Sequence, residues 1–310
     1  MTSDTKLLRS WMFVPGHRQK MIDKSFGIAN LDAVMLDIED GVAPAEKDAA
    51  RQMIAASLDA IARQGSTVGA ATRTPARYVR INAVGHERMF SDLGAVVRPG
   101  LEGLVLPKVD NPGQVDTVEE ILDHKEPEQG MQRGSVRLLV AIESPRGLFQ
   151  AQAIAAASPR VVGLIFGAED FGKEMGLPLR REGEARDLLY ARSAFVCSAA
   201  AACVQAVDGV WPDIQDSEGL KSFALQSRRL GFTGMSSIHP SQIDAINATF
   251  TPSQEEVDYC TKVVAAFDEA RARGEGSIAF GGQLIDLPIV ERARRTLALA
   301  ASLRVYTAGA

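Results

Sequence analysis

Eight short apolar runs punctuate the chain, and longer stretches of helical period separate most of them. The runs are "SWMFVP" (10–15), "AVMLDI" (33–38), "YVRIN" (78–82), "GLVLPK" (103–108), "RLLVAIE" (137–143), "VVGLIFG" (161–167), "AVDGVW" (206–211) and "GMSSIHP" (234–240). A strand that is apolar on both faces is buried on both sides, which marks parallel pairing beneath covering helices. Between the runs lie segments such as "PAEKDAARQMIAASLDAIAR" (44–63) and "EGEARDLLYARSAFVCSAAAA" (182–202), built from strong helix formers. Strand–helix–strand units of this kind cross over with a right-handed sense. Eight of them in about 250 residues is the arithmetic of a (β/α)8 TIM barrel. A doubly wound open sheet gives a similar local pattern, and the count favours the barrel.

After "SQIDAINATF" the rhythm changes. A helix is expected from about Ser253 to Arg273, then a Gly-rich turn "GEGSIAFGGQLID", then a last amphipathic helix "PIVERARRTLALAASL". The reading is therefore a barrel over residues 1–250 and a C-terminal helical extension over 251–310, which either packs on a neighbouring subunit of a homo-oligomer or caps the barrel. "TRTPAR" (72–77) and "KEPEQGMQRGS" (125–135) read as surface loops.

Composition removes several function classes. Lys and Arg number 34 against 39 Asp and Glu, with no basic block, so nucleic acid has no electrostatic footprint here. Three cysteines, Cys197, Cys203 and Cys260, form no CxxC pair and suit a reduced, cytoplasmic setting. Cys197 and Cys203 are expected in the core. The segment "MTSDTKLLRSWMFVPG" lacks the apolar stretch of a signal peptide, and no run approaches bilayer length, so no membrane partner is expected. P-loop, dinucleotide and serine-hydrolase motifs are absent from the sequence.

A parallel barrel carries its active site at the carboxyl ends of the strands. There the second run ends in Asp37, Glu39 and Asp40, the third in Arg80 and Asn82, the fourth in Lys108, the fifth in Glu143, the sixth in Glu169 and Asp170, and the eighth in His239. Glu143 and Asp170 close consecutive strands, about 4.8 Å apart in a parallel sheet, so their carboxylates can converge. Convergent carboxylates repel unless a proton or cation joins them, and an oxygen-only site with room for water and substrate suits Mg²⁺. The alternative is that these acids cap the helices that follow. For Arg80 the alternatives are an anion clamp and a surface ion pair, and its strand-end position favours the clamp; for Lys108 a pair with a neighbouring strand-end acid stands at least level with a catalytic part. His239 reads as a structural histidine.

Taken in order, "RSWMFVPGHRQKM", "DAVMLDIEDGVAPAEKDAAR", "YVRIN", "GLVLPKV", "LVAIESPRGL", "GLIFGAEDF" and "SSIHPSQI" resemble the citrate lyase β-subunit-like family, over residues 9–295. That resemblance implies a Mg²⁺-dependent carbon–carbon lyase that cleaves or forms a 3-hydroxyacyl-CoA thioester, such as citramalyl-CoA or malyl-CoA, from acetyl-CoA and a 2-oxo acid. It further implies that Glu143 and Asp170 are the metal ligands, with Glu169 beside them, and that Glu39 and Asp40 hold metal waters. Arg80 would hold the thioester or carboxylate oxygen, Arg18 and Lys20 would lie near the CoA phosphates, and Asp286 would be an acid delivered from the C-terminal arm of an adjacent subunit in a trimer or hexamer. The sequence departs from the family where "NAVGHERMF" places His86 and Arg88 in a stretch expected to border the acyl pocket. Glyoxylate, pyruvate and oxaloacetate all remain open as the oxo acid, as do a carrier-protein thioester, a malyl-CoA thioesterase and a citryl-carrier-protein lyase β subunit.

Overall fold

The computed structural model describes residues 7–65, 74–178 and 185–307. These form two compact units, one ending at Ala248 and the other beginning at Thr249. The first holds eight strands: β1 (Ser10–Pro15), β2 (Ala33–Asp37), β3 (Ala76–Arg80), β4 (Gly103–Leu106), β5 (Arg137–Ile142), β6 (Val161–Phe166), β7 (Gln205–Asp208) and β8 (Gly234–Ser237). Each pairs in parallel with the next, and β8 pairs with β1, closing the barrel that the run count implies.

Side chains alternate across a strand, so one parity of each run fills the barrel interior. Trp11, Ala33, Met35, Ala76, Tyr78, Val105, Leu139, Ala141, Ile165 and Val207 make one buried cluster on that parity. The Trp11 and Tyr78 rings meet edge to face, 4.9 Å between centroids. Gly103 leaves room for the tyrosine, because a Cβ there would stand 2.2 Å from Tyr78 Cε1. The other parity packs outward on the helices. Among the described residues, no helix is long and apolar enough to cross a membrane.

Three local expectations are corrected. Of the loop expected over 72–77, residues 72–73 fall outside the described residues, and Ala76 and Arg77 already belong to β3. Residues 125–128 do not begin a loop: the helix Pro112–Glu128 runs through Pro127 in its last turn. Glu126 anchors it from full burial, accepting from Arg160 Nη1 and Nη2 at 2.8 and 2.7 Å and from the amides of Val136 and Gly134 at 2.7 and 2.6 Å. Burial pushes its pKa up, yet Arg160 and the two amides outweigh that and leave it below the ordinary carboxylate value. Cys197 and Cys203 are exposed, not core. The helix Leu189–Ala201 buries Ala191, Arg192, Phe195, Val196 and Ala199, a stripe that misses Cys197, and Cys203 lies beyond the helix end with φ 57°. Residues 182–184 of the expected helix fall outside the described residues.

The Glu126 anchor yields a stability prediction. Glu126→Ala leaves the buried Arg160 with Asp123 as its remaining close partner and strips the Val136 and Gly134 amides of their acceptor, and is expected to cost about 2–4 kcal/mol at neutral pH, read from urea unfolding. Because the folded-state pKa is lowered, that contribution is present above the ordinary carboxylate range and fades as acid protonates Glu126. Parental and variant stabilities should converge at low pH.

In the second unit Ser253 caps the helix Gln254–Ala272 in a reciprocal capping box with Glu256. A hairpin of β9 (Ile278–Phe280) and β10 (Gln283–Ile285) follows, where the sequence suggested only a turn. Its corner is Gly281 and Gly282, both with positive φ (55° and 78°), as a type I′ turn demands. The helix Leu287–Thr307 completes the unit, and Val263, Phe267, Ile285, Val290 and Ala293 form its core.

Candidate active site

The interior parity of the strands, continued to their carboxyl ends, turns from apolar to charged. Asp37 follows Met35 and Ala33, Arg80 follows Tyr78 and Ala76, and Glu143 follows Ala141 and Leu139. Asp37 and Arg80 are register partners. The guanidinium grips Asp37 through a two-pronged contact, Nε to Oδ1 and Nη2 to Oδ2, both 2.7 Å. Asp37 also accepts from the amides of Glu39 and Gly41, each at 2.9 Å, so the turn after β2 wraps around its carboxylate. Arg80 Nη1 lies 3.3 Å from Glu39 Oε2, and the guanidinium carbon sits 4.8 Å from the centre of the Phe13 ring. Burial disfavours the Arg80 charge, yet Asp37, Glu39 and Glu143 outweigh it and hold the side chain protonated well above its ordinary pKa.

Glu143 is 6% exposed and receives no hydrogen bond from any described residue. Burial, opposed by Arg80 and reinforced by Glu39 and Asp170, pushes its pKa up to about 7. Helix capping does not explain it. Ser144 is the cap of the helix Pro145–Ala156, accepting from the Gly147 amide at 2.9 Å while its hydroxyl donates to Asp110. Gly167, just past β6, gives the carboxylate its space: a Cβ there would stand 2.3 Å from Glu143 Cγ. Asp170 closes no strand; it is the third residue of the helix Ala168–Glu174, whose N-cap Gly167 makes no side-chain capping bond. Asp170 pairs with Lys173 at 3.3 Å.

Asp37, Arg80, Glu143, Glu169 and Asp170 all line one cavity of about 380 Å³, whose floor includes Val105, Ala141 and Ile165. No group of three or more His, Cys, Asp or Glu with metal-binding geometry occurs among the described residues. A buried carboxylate without a donor, with Asp170 lining the same cavity and raising its pKa, nevertheless fits a hard divalent cation that keeps water and substrate oxygens as its other ligands.

The other sequence candidates fall elsewhere. Glu39 is buried, with Lys108 Nζ 2.5 Å from its Oε1 and 2.7 Å from Asp40 Oδ2, so Lys108 is the partner of neighbouring acids. Its backbone lies in the left-handed region, φ 54°. Burial disfavours the Lys108 charge, but Asp40 and Glu39 raise its pKa on balance. Arg18 and Lys20 are exposed just after β1, Arg18 as the N-cap residue of the helix Gln19–Phe26. His86 and Arg88 do not line the cavity; the His86 ring accepts from the Arg88 amide at 3.1 Å, a local turn contact. His239 is likewise local, bound to Ser241 at 2.8 Å. Asp286, in the second unit, accepts weakly from the Ile289 amide at 3.4 Å at the start of the helix Leu287–Thr307. Asn82, which the strand-end rule does pick out, joins Lys47 and Asp92, which it does not reach, in a buried chain behind the β2 turn.

An acidic rim with a forked arginine, set on a closed parallel barrel, defines the class, and residues 9–240 match the HpcH/HpaI aldolase/citrate lyase family. The chain belongs to that family, as the sequence resemblance indicated, and its named relatives include lyases. It is 38% identical to the citrate lyase β subunit of Escherichia coli K12 over 297 residues, 96% of this chain and 94% of that one. It is 33% identical to the human mitochondrial citramalyl-CoA lyase, covering 96% and 86%. Among solved structures, CitE of Mycobacterium tuberculosis in complex with magnesium, acetoacetate and coenzyme A superposes with a TM-score of 0.74 at 31% identity, covering 95% and 98%.

Proposed function

We propose that this chain is a Mg²⁺-dependent carbon–carbon lyase that cleaves, or in reverse forms, a 3-hydroxyacyl-CoA thioester such as citramalyl-CoA or malyl-CoA, giving acetyl-CoA and a 2-oxo acid. The observation that carries the reading is Glu143: a buried carboxylate with no donor, beside an arginine already fixed in place, at the head of a cavity. A relative whose structure holds magnesium and coenzyme A supports it.

Glu143 and Asp170 would hold the cation, with Glu39 and Asp40 toward its waters. When bound, the ion supplies Lewis acidity to the oxo-acid oxygens. Arg80 does the rest of the charge work. Once a base takes the hydroxyl proton, that oxygen becomes the oxo-acid carbonyl, the carbon–carbon bond breaks and its electron pair places negative charge on the thioester enolate oxygen, which a guanidinium pinned by Asp37 need not reorganise to meet. Phe13 packs against that guanidinium. Coenzyme A far exceeds a cavity of about 380 Å³, so the oxo-acid half would enter while the CoA body stays outside, where the exposed Arg18 and Lys20, lying in sequence between the cavity-lining Pro15 and Met21, would meet its phosphates. Asp286, carried by a neighbouring subunit's arm, would deliver the proton to the enolate carbon.

The test is a panel of malyl-, citramalyl- and citryl-CoA with Mg²⁺, following acetyl-CoA and oxo acid. Acetyl-CoA released in step with an oxo acid, and lost on chelation, is the expected result. Free CoA with an intact hydroxy acid means thioester hydrolysis, and no turnover of any ester overturns the reading.

A further inference from the structure

Lys47 opens the helix Lys47–Gly65 and sends its ammonium back to the turn after β2. It is 7% exposed and does not line the cavity. Nζ lies 2.8 Å from Ile38 O, 2.8 Å from Glu39 O and 2.6 Å from Asn82 Oδ1, which uses all three of its donors. Every one of those acceptors is neutral, so the ammonium is buried without a carboxylate in direct contact. That is a costly arrangement for a residue with packing as its sole role.

Its partners are themselves fixed. Asp92 Oδ2 can only accept, and it takes Asn82 Nδ2 at 2.6 Å and the Asn82 amide at 2.8 Å, which turns Asn82 Oδ1 toward Lys47. The Ile38 amide donates to Arg80 O at 2.9 Å. The peptide segment between Asp37 and Glu39 is thus held from one side by β3 and from the other by Lys47, while its two ends present the carboxylates that face Arg80.

We infer that Lys47, braced by Asn82 and Asp92, is a positioning residue that sets the angle of the Arg80 guanidinium by fixing the β2 turn from behind. The inference rests on the proposed role of Arg80, but its first readout needs no catalysis. In chelator-treated, ¹⁵N-labelled protein, the Arg80 Nε resonance, assigned by its loss in Arg80→Lys, reports the fork to Asp37 directly. In Lys47→Met that resonance should shift or broaden, while arginine resonances remote from the turn stay in place. With Mg²⁺ and the preferred CoA ester, kcat should fall about 30- to 100-fold, since small misplacements of a catalytic group have effects of that size. KM should stay within about threefold, because Lys47 touches no part of the cavity. Lys47→Ala with added propylammonium should recover at least about tenfold of the lost kcat, which a general loss of fold would not allow.

Asn82→Ser is the second variant should Lys47 substitutions fail to fold; it removes one Lys47 acceptor and should move the Arg80 resonance in the same direction. An unmoved Arg80 resonance in whichever variant folds overturns the inference, as does a kcat within threefold of the parent. If the resonance moves and no ester is turned over by any protein, the positioning stands and the proposed function fails.

Discussion

Glu143→Gln is expected to lower Mg²⁺-dependent turnover by about 10²-fold or more, and to leave the barrel as stable as before or more stable. The two halves of that expectation have one cause. The carboxylate is buried, lacks a hydrogen-bond donor and sits near the carboxylates of Glu39 and Asp170, so in the metal-free protein its ionised form is unfavourable. Folds carry such residues where activity needs them. A glutamine of the same shape removes the charge and with it the hold on a cation. A capping or packing residue would behave in the opposite way, losing stability and keeping function.

The pH dependence sharpens this. Glu143 has a folded-state pKa of about 7 against an ordinary 4.5. Below the ordinary value the group is protonated in folded and unfolded chains alike and contributes nothing. Between the two values the unfolded chain releases a proton that the folded chain keeps, so the stability of the parental protein falls as pH rises. Above about pH 7 the penalty is complete, on the order of 3 kcal/mol. In chelator, Glu143→Gln should match the parent near pH 4 and exceed it near pH 8, and added Mg²⁺ should close the gap by stabilising the parent alone. A glutamine variant less stable than the parent at pH 8, or one with near-normal turnover, would remove Glu143 from the metal site.

What the sequence made legible follows from which contacts are local. The eight strands stood out because strands buried on both faces are written as unbroken apolar runs, and closure into a barrel followed from counting them. Arg80, Glu143 and Asp170 could be picked because the strand-end rule needs only the point where a run stops. The rule was approximate for Asp170, which stands on the helix after β6. What it could not supply were pairings across 34 to 43 residues: Asp37 with Arg80, Lys47 with Asn82, and Ser144 with Asp110. Asp37 was within reach all the same. It shares parity with Ala33 and Met35, so it had to point inward beside Arg80. The exposed cysteines show the opposite failure: an Ala-rich helix gives little contrast between faces, so the stripe that misses Cys197 was invisible, and the helix ends before Cys203. The β9–β10 hairpin escaped because three-residue strands are too short to display alternation.

Asp286→Asn should lower cleavage by about 10²-fold, the usual reach of a general acid or base, and leave Mg²⁺ affinity unchanged. Asparagine is the informative substitution because it caps a helix as well as aspartate does. The weak bond to the Ile289 amide therefore survives, and a role confined to starting the helix Leu287–Thr307 predicts no loss at all. The partner variant is Arg80→Lys, which keeps a cation against Asp37 but loses the fork, with a similar fall in rate. Either protein alone should keep only about a hundredth of the parental activity. If each site combines the barrel of one subunit with the arm of the next, co-expression in equal amounts randomises the two, and about a quarter of sites receive both Arg80 and Asp286. Activity near a quarter of the parental value is then expected in the mixed oligomer. If both residues serve the same chain's site, no mixture contains an intact pair, and activity stays at the level of the separate variants. The yield of the mixed preparation thus decides whether the second unit completes its own barrel or a neighbour's.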